Sequence, residues 1–128
     1  MSYTINRLIP GADIGAVDAR TRAALAEQGF GVLTEIDVRA TMKAKLDRDM
    51  PGYRILGACN PKLAWQALGV EPRVGAMLPC NVILRETGAG IEICAVDPVA
   101  SMQAVANPAL QAIASEVRTL LARAVAAV

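Results

Sequence analysis

The chain has 128 residues, of which 54% are apolar and only 3% aromatic, and its 13 basic and 12 acidic side chains leave a net charge of +1. It contains no histidine, which excludes Ser-His-Asp and Cys-His nucleophiles, histidine-containing zinc sites and 2-His-1-carboxylate iron sites. The balanced charge and the scarcity of aromatic residues argue against nucleic-acid binding, and no apolar run is long enough to span a bilayer.

The first part of the chain alternates between strand and helix patterns. The predicted elements are a strand at 2–8, a helix at 13–29, a strand at 30–36 and a short helix that Asp37 caps. In the first helix, Asp13 is the expected N-cap, and Gly29 suits the position just after the C-terminus. In the second helix, Val38, Met42 and Leu46 recur every four residues, as in an amphipathic helix.

The second part of the chain continues this alternation and then adds a hairpin. The predicted elements are a strand at 53–59, a helix at 61–69, a hairpin at 80–96 with its loop at 87–90, and a C-terminal helix that begins at Pro108. In the helix at 61–69, Ala64, Ala67 and Leu68 are expected to face the core.

Three of the predicted helices begin with the same dipeptide pattern. An Asn or Asp side chain caps the free N–H groups of a first helical turn, and Pro fits that turn because its missing N–H would have no partner there. The pattern occurs at Asn60-Pro61, Asp97-Pro98 and Asn107-Pro108. We interpret it as a way of starting helices rather than as a catalytic signature.

The order of these elements predicts the fold class. It gives five strands and up to five helices, without an internal repeat or a linker. We expect a single α+β domain over residues 1–128, a sandwich in which helices pack on a mainly antiparallel sheet of about five strands. Both strands of the hairpin are apolar on both faces over part of their length, which is typical of a sheet centre or a buried interface.

The cysteine content and the N-terminus predict the compartment. Three cysteines are an odd number, which favours reduced thiols in the cytoplasm over a disulfide framework. The first 13 residues lack a basic region followed by a long apolar stretch, so no signal peptide is expected. We therefore expect a cytoplasmic protein.

Two Cys-Asn pairs, Cys59-Asn60 and Cys80-Asn81, stand at predicted strand ends. Cys59 precedes the N-cap of a helix, where amide donors and the helix dipole favour anions and thiolates. A dipole effect of about 0.3–1 kcal/mol lowers a thiol pKa by less than about one unit, so position alone does not make Cys59 reactive. A buried thiol that fills the core is the structural alternative for both cysteines.

Other polar residues near these cysteines have two interpretations each. Asn60 is explained as a helix cap, with ligand contact as the alternative. Asn81 interrupts an apolar strand, so it needs hydrogen-bond partners from the protein or from a ligand if it is buried. Tyr53 could stand at the core edge or in a pocket wall, whereas Cys94 is expected in the core. The cysteine spacings contain no close pair such as C-x₂-C, so no metal site is predicted.

Five segments of the chain form a recognisable series: GFGVLTEIDVRATMKAKL, YRILGACNPKLAWQAL, GAMLPCNVIL, DPVASM and NPALQAIASEV. In this order and spacing they resemble the family catalogued as domain of unknown function 302 (DUF302), over roughly residues 12–124. The resemblance implies a small cytoplasmic bacterial or archaeal protein with an α+β fold that pairs as a homodimer. No reaction is assigned to this family, so the resemblance implies no catalytic residue and no cofactor.

Three functions are compatible with these observations. The first is a homodimeric binding or accessory protein that holds a small ligand, which could be an anion, where residues 57–61 and 78–81 converge. Its candidate ligand-binding residues are Tyr53, Cys59, Asn60, Cys80 and Asn81. The second is a thiol enzyme or sulfur carrier that uses Cys59 or Cys80 as a nucleophile. The third is a structural protein-interaction module, in which the apolar hairpin forms a flat interface.

Overall fold

The computed structural model describes residues 2–128, and Met1, the first residue of the predicted domain, lies outside the described residues. Within that range the chain forms five strands and five α-helices in the predicted order. Their bounds are β1 Thr4–Ile9, α1 Ile14–Glu27, β2 Gly31–Asp37, α2 Val38–Leu46, β3 Tyr53–Cys59, α3 Pro61–Val70, β4 Cys80–Thr87, β5 Gly90–Val96, α4 Pro98–Ser101 and α5 Pro108–Ala127. A 3-10 helix, Pro72–Met77, lies between α3 and β4 and has no counterpart in the prediction.

The strands form one sheet in the order β1-β5-β4-β3-β2, and each neighbouring pair is antiparallel. This confirms the predicted α+β class. β1 pairs with β5, with Asn6 opposite Cys94, although the two strands are far apart in the chain. The central strand is therefore β4, which begins at Cys80, and it lies beside β3, which ends at Cys59.

Local side-chain chemistry explains where the helices begin. Each α-helix starts after an Asp or Asn whose side chain accepts a hydrogen bond from a backbone N–H of the first turn. These N-caps are Asp13, Asp37, Asn60, Asp97 and Asn107. Gly29 follows α1 with a φ of 84°, a left-handed conformation that glycine adopts without strain. The predicted helix starts and this helix end are confirmed.

A layer of helices covers one face of the sheet, and within it α5 contacts α1, α3 and α4. Alternate side chains of the central strands point into this layer. The main core consists of buried aliphatic residues from the sheet and the helices, including Val17, Leu25, Leu56, Leu84, Ile93 and Leu121. A smaller cluster joins α3 to α5 and contains Ala67, Val74, Met102, Leu110 and Ala114.

In α2 and α3, the buried residues differ from those that the apolar periodicity of the sequence predicts. In α3, Leu63 and Ala67 are buried, whereas Leu68 is 42% exposed, so the expected inward position of Leu68 is wrong. In α2, none of residues 38–46 is buried, and Leu46 is 63% exposed. Periodicity therefore located both helices but did not determine what they pack against.

The opposite face of the sheet lies outside this helix layer and is called the uncovered face below. The strand register aligns Ile55, Ile83, Cys94 and Asn6 in one row across four strands of this face. Side chains in such a row point to the same side of the sheet. The uncovered face therefore carries apolar, thiol and amide groups together. It is a second region, besides the core, in which a binding site could lie.

Candidate functional site

The two Cys-Asn segments lie side by side where β3 ends and β4 begins. Gly57 of β3 is directly opposite Asn81 of β4. Gly57 permits this close packing, because a Cβ atom there would overlap the Thr34 side chain and lie 2.7 Å from Pro79 Cγ. The backbones of the two segments therefore converge, as the sequence predicted.

The five candidate side chains nevertheless separate into two groups. Cys59, Asn60 and Cys80 line a small cavity beneath the helix layer, which we call the inner cavity. Tyr53 and Asn81 line a broad groove on the uncovered face. The separation follows from strand geometry, because neighbours such as Cys80 and Asn81 point to opposite faces of a sheet. The five residues therefore line two separate pockets rather than the single pocket expected from the sequence.

The inner cavity has a volume of about 30 Å³ and lies between the two hydrophobic clusters. Most of its lining is apolar and includes Phe30, Leu63, Leu78, Met102 and Leu110. A cavity of this volume admits about one or two atoms of the size of a water oxygen. A larger ligand does not fit unless the surrounding helices move.

Asn60 is held as a structural cap at the edge of the inner cavity. Its Oδ1 accepts a hydrogen bond from Leu63 N at 3.3 Å, and its Nδ2 donates to Gln28 O at 3.4 Å. The carboxamide thus joins the end of α1 to the start of α3. The helix-cap interpretation of Asn60 is confirmed, and its contact with a ligand stays a prediction.

The protonation of the cysteines bears on the thiol hypothesis. Burial, followed by the nearby Cys59, raises the pKa of Cys80 to about 11. Burial, followed by a hydrogen bond to Glu92, raises the pKa of Cys94 to about 12. Both thiols are therefore protonated at neutral pH, whereas the thiolate is the reactive nucleophile. This weighs against Cys80 as a nucleophile and leaves Cys59, which is half-buried, as the remaining candidate.

The groove on the uncovered face is much larger, with a volume of about 750 Å³. Side chains from β1, β3, β4 and β5 line it, among them Asn6, Tyr53, Asn81, Ile83, Arg85 and Cys94. Ile83 and Val96 contribute apolar surface, while two amides and two phenols contribute hydrogen-bonding groups. A volume of about 300–1,000 Å³ with apolar surface and a few polar groups is typical of small-molecule sites.

A hydrogen-bonded ion pair crosses this groove. Arg85 Nε donates to Glu92 Oε1 at 2.7 Å, and Cys94 Sγ donates to the same oxygen at 3.1 Å. These two hydrogen bonds, the one from Arg85 foremost, lower the pKa of Glu92. Glu92 is therefore ionised at neutral pH and the pair is neutral as a whole. In this pair Arg85 uses only its Nε. The other N–H groups of its guanidinium are the kind of donor that binds an anionic ligand.

Sequence reasoning did not identify Arg85 and Glu92 as site residues, although a signal was present. The predicted hairpin loop at 87–90 places Thr87 opposite Gly90, and counting outward by two residues pairs Arg85 with Glu92, as observed. Opposite charges at directly paired positions favour an ion pair on one face of a sheet. The contribution of Asn6 carried no comparable signal, because it depends on the distant pairing of β1 with β5.

Comparisons with known proteins place this geometry in a family. A family model described as "Domain of unknown function DUF302" matches residues 7–128. The solved structure of an uncharacterized conserved protein DUF302 from Bacillus stearothermophilus superposes with a TM-score of 0.92 over 98% of each chain, at 24% sequence identity. At that identity the likeness shows the fold alone. A search of curated proteins finds no match.

Two further structural findings limit the site. Within residues 2–128, no helix is both long and apolar enough to cross a membrane. Among the same residues, no three or more His, Cys, Asp or Glu side chains are grouped so that they could hold a metal ion together. Any metal site in this part of the chain would therefore need fewer ligands of these types, or ligands of another type.

Proposed function

The chain belongs to the DUF302 family, a domain of unknown function, and we propose that it is a homodimeric protein that binds a small molecule in the groove on the uncovered face. One observation supports this most. The groove offers about 750 Å³ and includes Tyr53 and Asn81, two of the residues that the sequence singled out, whereas the inner cavity offers only about 30 Å³. The odd number of cysteines supports a cytoplasmic location with reduced thiols.

The lining of the groove suggests the class of ligand. Arg85 is the cation in the groove, and its guanidinium can form paired hydrogen bonds with a carboxylate. Glu92 and the apolar surface at Ile83 disfavour a small, highly charged anion such as phosphate. The groove therefore fits a monocarboxylate with an apolar body, with Asn81 and Tyr53 available as further hydrogen-bond partners.

Two copies of the chain would pair through their uncovered faces. Five strands about 4.8 Å apart and about 20 Å long give a face of roughly 500 Å² before the relief of the side chains is counted. Two such faces would bury roughly 1,000 Å² in total, which is at the lower limit for a specific interface. Such pairing would also shield a bound ligand from water.

The proposal is tested with benzoate, phenylacetate and hexanoate as probes. We expect at least one of them to raise the Tm of the protein, because a ligand that binds only the folded state stabilises it. Replacement Arg85→Gln removes a charge-assisted hydrogen bond worth about 1.5–3 kcal/mol. Its affinity for the same probe, measured by titration calorimetry, should therefore fall by about tenfold or more.

Arg20→Gln is the matched control, because Arg20 is an exposed cation on α1, in the helix layer. It should leave the affinity unchanged, whereas Asn81→Ala should weaken binding. A panel that produces no stabilising probe, or an affinity that depends equally on Arg20 and Arg85, would contradict a carboxylate site in the groove.

A further inference from the structure

The charged groups of the groove lie together at one end of it, which we call the charged end. Tyr53, Arg85 and Glu92 occupy directly paired positions on β3, β4 and β5, so their side chains form one row on the uncovered face. Among the groove-lining residues that the structure describes, Arg85 and Glu92 are the ones that carry a charge at neutral pH. A carboxylate bound at Arg85 would therefore place one end of the ligand at this row.

The other end of the groove carries hydrogen-bonding groups without charge. Four uncharged polar residues line it, and we call this part the neutral end: Tyr3, Thr4, Asn81 and Ser101. Asn81 lies four residues before Arg85 on the same face of β4, and it is exposed. Thr4 is paired with Val96, four residues beyond Glu92 on β5. At about 3.4 Å per strand residue, the Cα atoms of Asn81 and Arg85 are roughly 14 Å apart.

The part of the groove between these two ends is mainly apolar. Ile83 lies midway between them on β4 and is half-buried. Opposite Ile83, Cys94 is buried, and its thiol already donates a hydrogen bond to Glu92. Asn6, an amide in the same row, lies beyond Cys94 on the edge strand β1. The middle of a ligand that joins the two ends would therefore lie against apolar surface.

We propose that the ligand of this groove is an elongated ω-hydroxy monocarboxylate, with its carboxylate at Arg85 and its hydroxyl at Asn81. This ligand class rests on the proposed function, because the carboxylate end is the one assigned to Arg85 there. A hydroxyl and a carboxamide each donate and accept, so they form a hydrogen bond without needing a charge. The apolar chain of the ligand has to bridge most of the roughly 14 Å between the two residues.

Other elongated acids fit the neutral end less well. The described lining of that end includes no Lys or Arg, so the second carboxylate of a dicarboxylate would lose hydration there without gaining a cation. The same lining includes no Asp or Glu, which disfavours the ammonium group of an ω-amino acid for the corresponding reason. A plain fatty acid would leave the Asn81 carboxamide without a hydrogen bond from the ligand.

The test compares ω-hydroxydecanoate with decanoate by titration calorimetry of the full chain. The two probes share the carboxylate and the apolar chain, and they differ in the terminal hydroxyl. In a purely apolar site the hydroxyl would weaken binding, because burying a hydroxyl without a partner is costly. We expect ω-hydroxydecanoate to bind about two- to tenfold more tightly instead, which is the usual contribution of one hydrogen bond between neutral groups.

Two variants separate the ends of the groove. Asn81→Ala should weaken the binding of ω-hydroxydecanoate more than that of decanoate, and so remove the preference for the hydroxy acid. Arg85→Gln should weaken the binding of both probes alike and keep the preference, because effects at residues this far apart are usually additive. Both replaced residues are exposed, and circular dichroism verifies that the variants fold.

Ligand length gives a control on the unaltered protein. ω-Hydroxyhexanoate is too short to reach Asn81 from Arg85, so it should bind no more tightly than hexanoate. Three results would each overturn the hydroxy-acid assignment and leave the carboxylate site standing: decanoate binds as tightly as ω-hydroxydecanoate, the short pair shows the same preference, or Asn81→Ala keeps it. If neither long acid binds, or if Arg85→Gln changes neither affinity, the proposed function fails as well.

Discussion

Asp18 shows how much a single residue can depend on tertiary packing. It lies on α1 with only 6% of its surface exposed, and it accepts hydrogen bonds from Arg22 Nε at 2.6 Å and Arg54 at 3.0 Å. Burial by itself would raise the pKa of Asp18, but the hydrogen bonds from Arg22 and Arg54 outweigh it and lower the pKa. Because Arg54 belongs to β3, this carboxylate joins α1 to the sheet.

We expect Asp18→Asn to destabilise the protein by about 1–3 kcal/mol at neutral pH, because it weakens charge-assisted hydrogen bonds at a buried site. A carboxyl whose pKa is lowered by folding stabilises the native state above its unfolded pKa of about 4. That contribution is lost as the pH falls through the folded value. Urea unfolding of both proteins between pH 7 and pH 2 should show the difference in stability shrinking below about pH 4.

Glu35→Gln is the control for this prediction. Glu35 forms an ion pair with Arg22 at 3.2 Å, but its side chain is 48% exposed, and exposed pairs contribute only about 0–1 kcal/mol. If both variants lose the same stability, or if the effect of Asp18→Asn does not change with pH, the buried network is not the cause.

The roles of the candidate ligand-binding residues depend on tertiary packing in the same way as that of Asp18. From the sequence alone, Asn60 could be assigned as a cap, because the residues that it caps follow it directly in the chain. Cys80 and Asn81 could not be assigned to faces, because β4 is apolar on both sides near them, with Val82 and Leu84 on one face and Ile83 on the other. The alternation of side chains is fixed by strand geometry, but which of the two faces meets the helices is not.

Helix starts are the structural elements that the sequence predicted best. Each of the five α-helices follows an Asp or Asn that accepts a hydrogen bond from its first turn. In α5, Asn107 Oδ1 accepts from Ala109 N at 3.1 Å and from Leu110 N at 3.3 Å, while its Nδ2 donates to Val70 O at 2.9 Å. The cap therefore also fixes the end of α3 against the start of α5.

We expect Asn107→Ala to lower the free energy of unfolding by about 0.5–2 kcal/mol, the usual effect of removing an N-cap side chain. The reason is that the first N–H groups of α5 lose their acceptor, and α5 is the helix that contacts α1, α3 and α4. Equilibrium urea unfolding followed by circular dichroism measures the change.

Asn107→Asp separates the two roles of this residue. It keeps the cap oxygen but removes the donor to Val70 O, so it should cost less than Asn107→Ala. If Asn107→Asp costs as much as Asn107→Ala, the hydrogen bond to Val70 O, which both variants lose, and not the cap, accounts for the stability of this element.

The faces of the helices were less predictable than their ends. In α3 several apolar residues lie at helical spacing, and only the position of α5 decides that Leu63 and Ala67 are buried while Leu68 is exposed. In α2 the spacing of Val38, Met42 and Leu46 suits an amphipathic helix, yet the helix layer does not extend over it. A periodic pattern thus indicates a helix without indicating a partner for its apolar side.

The sheet has one face packed against helices and one face that we propose to be shared with a second copy. Ile83 lies near the middle of that uncovered face and is half-buried in the single chain. In a dimer, a charged side chain placed there would be buried without an oppositely charged group beside it. A two-fold interface would contain this unpaired charge twice.

We therefore expect Ile83→Asp to convert the proposed dimer to a monomer, with a dissociation constant raised by about 30-fold or more, as for a central interface residue. Sedimentation equilibrium across a range of concentrations measures this change, and circular dichroism verifies the fold. Trp65→Ser is the control, because Trp65 is 78% exposed on α3, in the helix layer. A dimer that Trp65→Ser disrupts and Ile83→Asp does not would place the interface on the helix layer.

Local chemistry in the sequence determined the order of the elements, the helix caps, the hairpin and the α+β class, since each depends on residues close together in the chain. The tertiary structure alone decided that β1 pairs with β5, that Asp18 meets Arg54, and that Cys80 and Asn81 line different pockets. These outcomes depend on how the strands pair and on which face of the sheet the helices cover. The helices cover the face that buries the larger apolar surface beneath α1 and α5, and this burial depends on all the elements together.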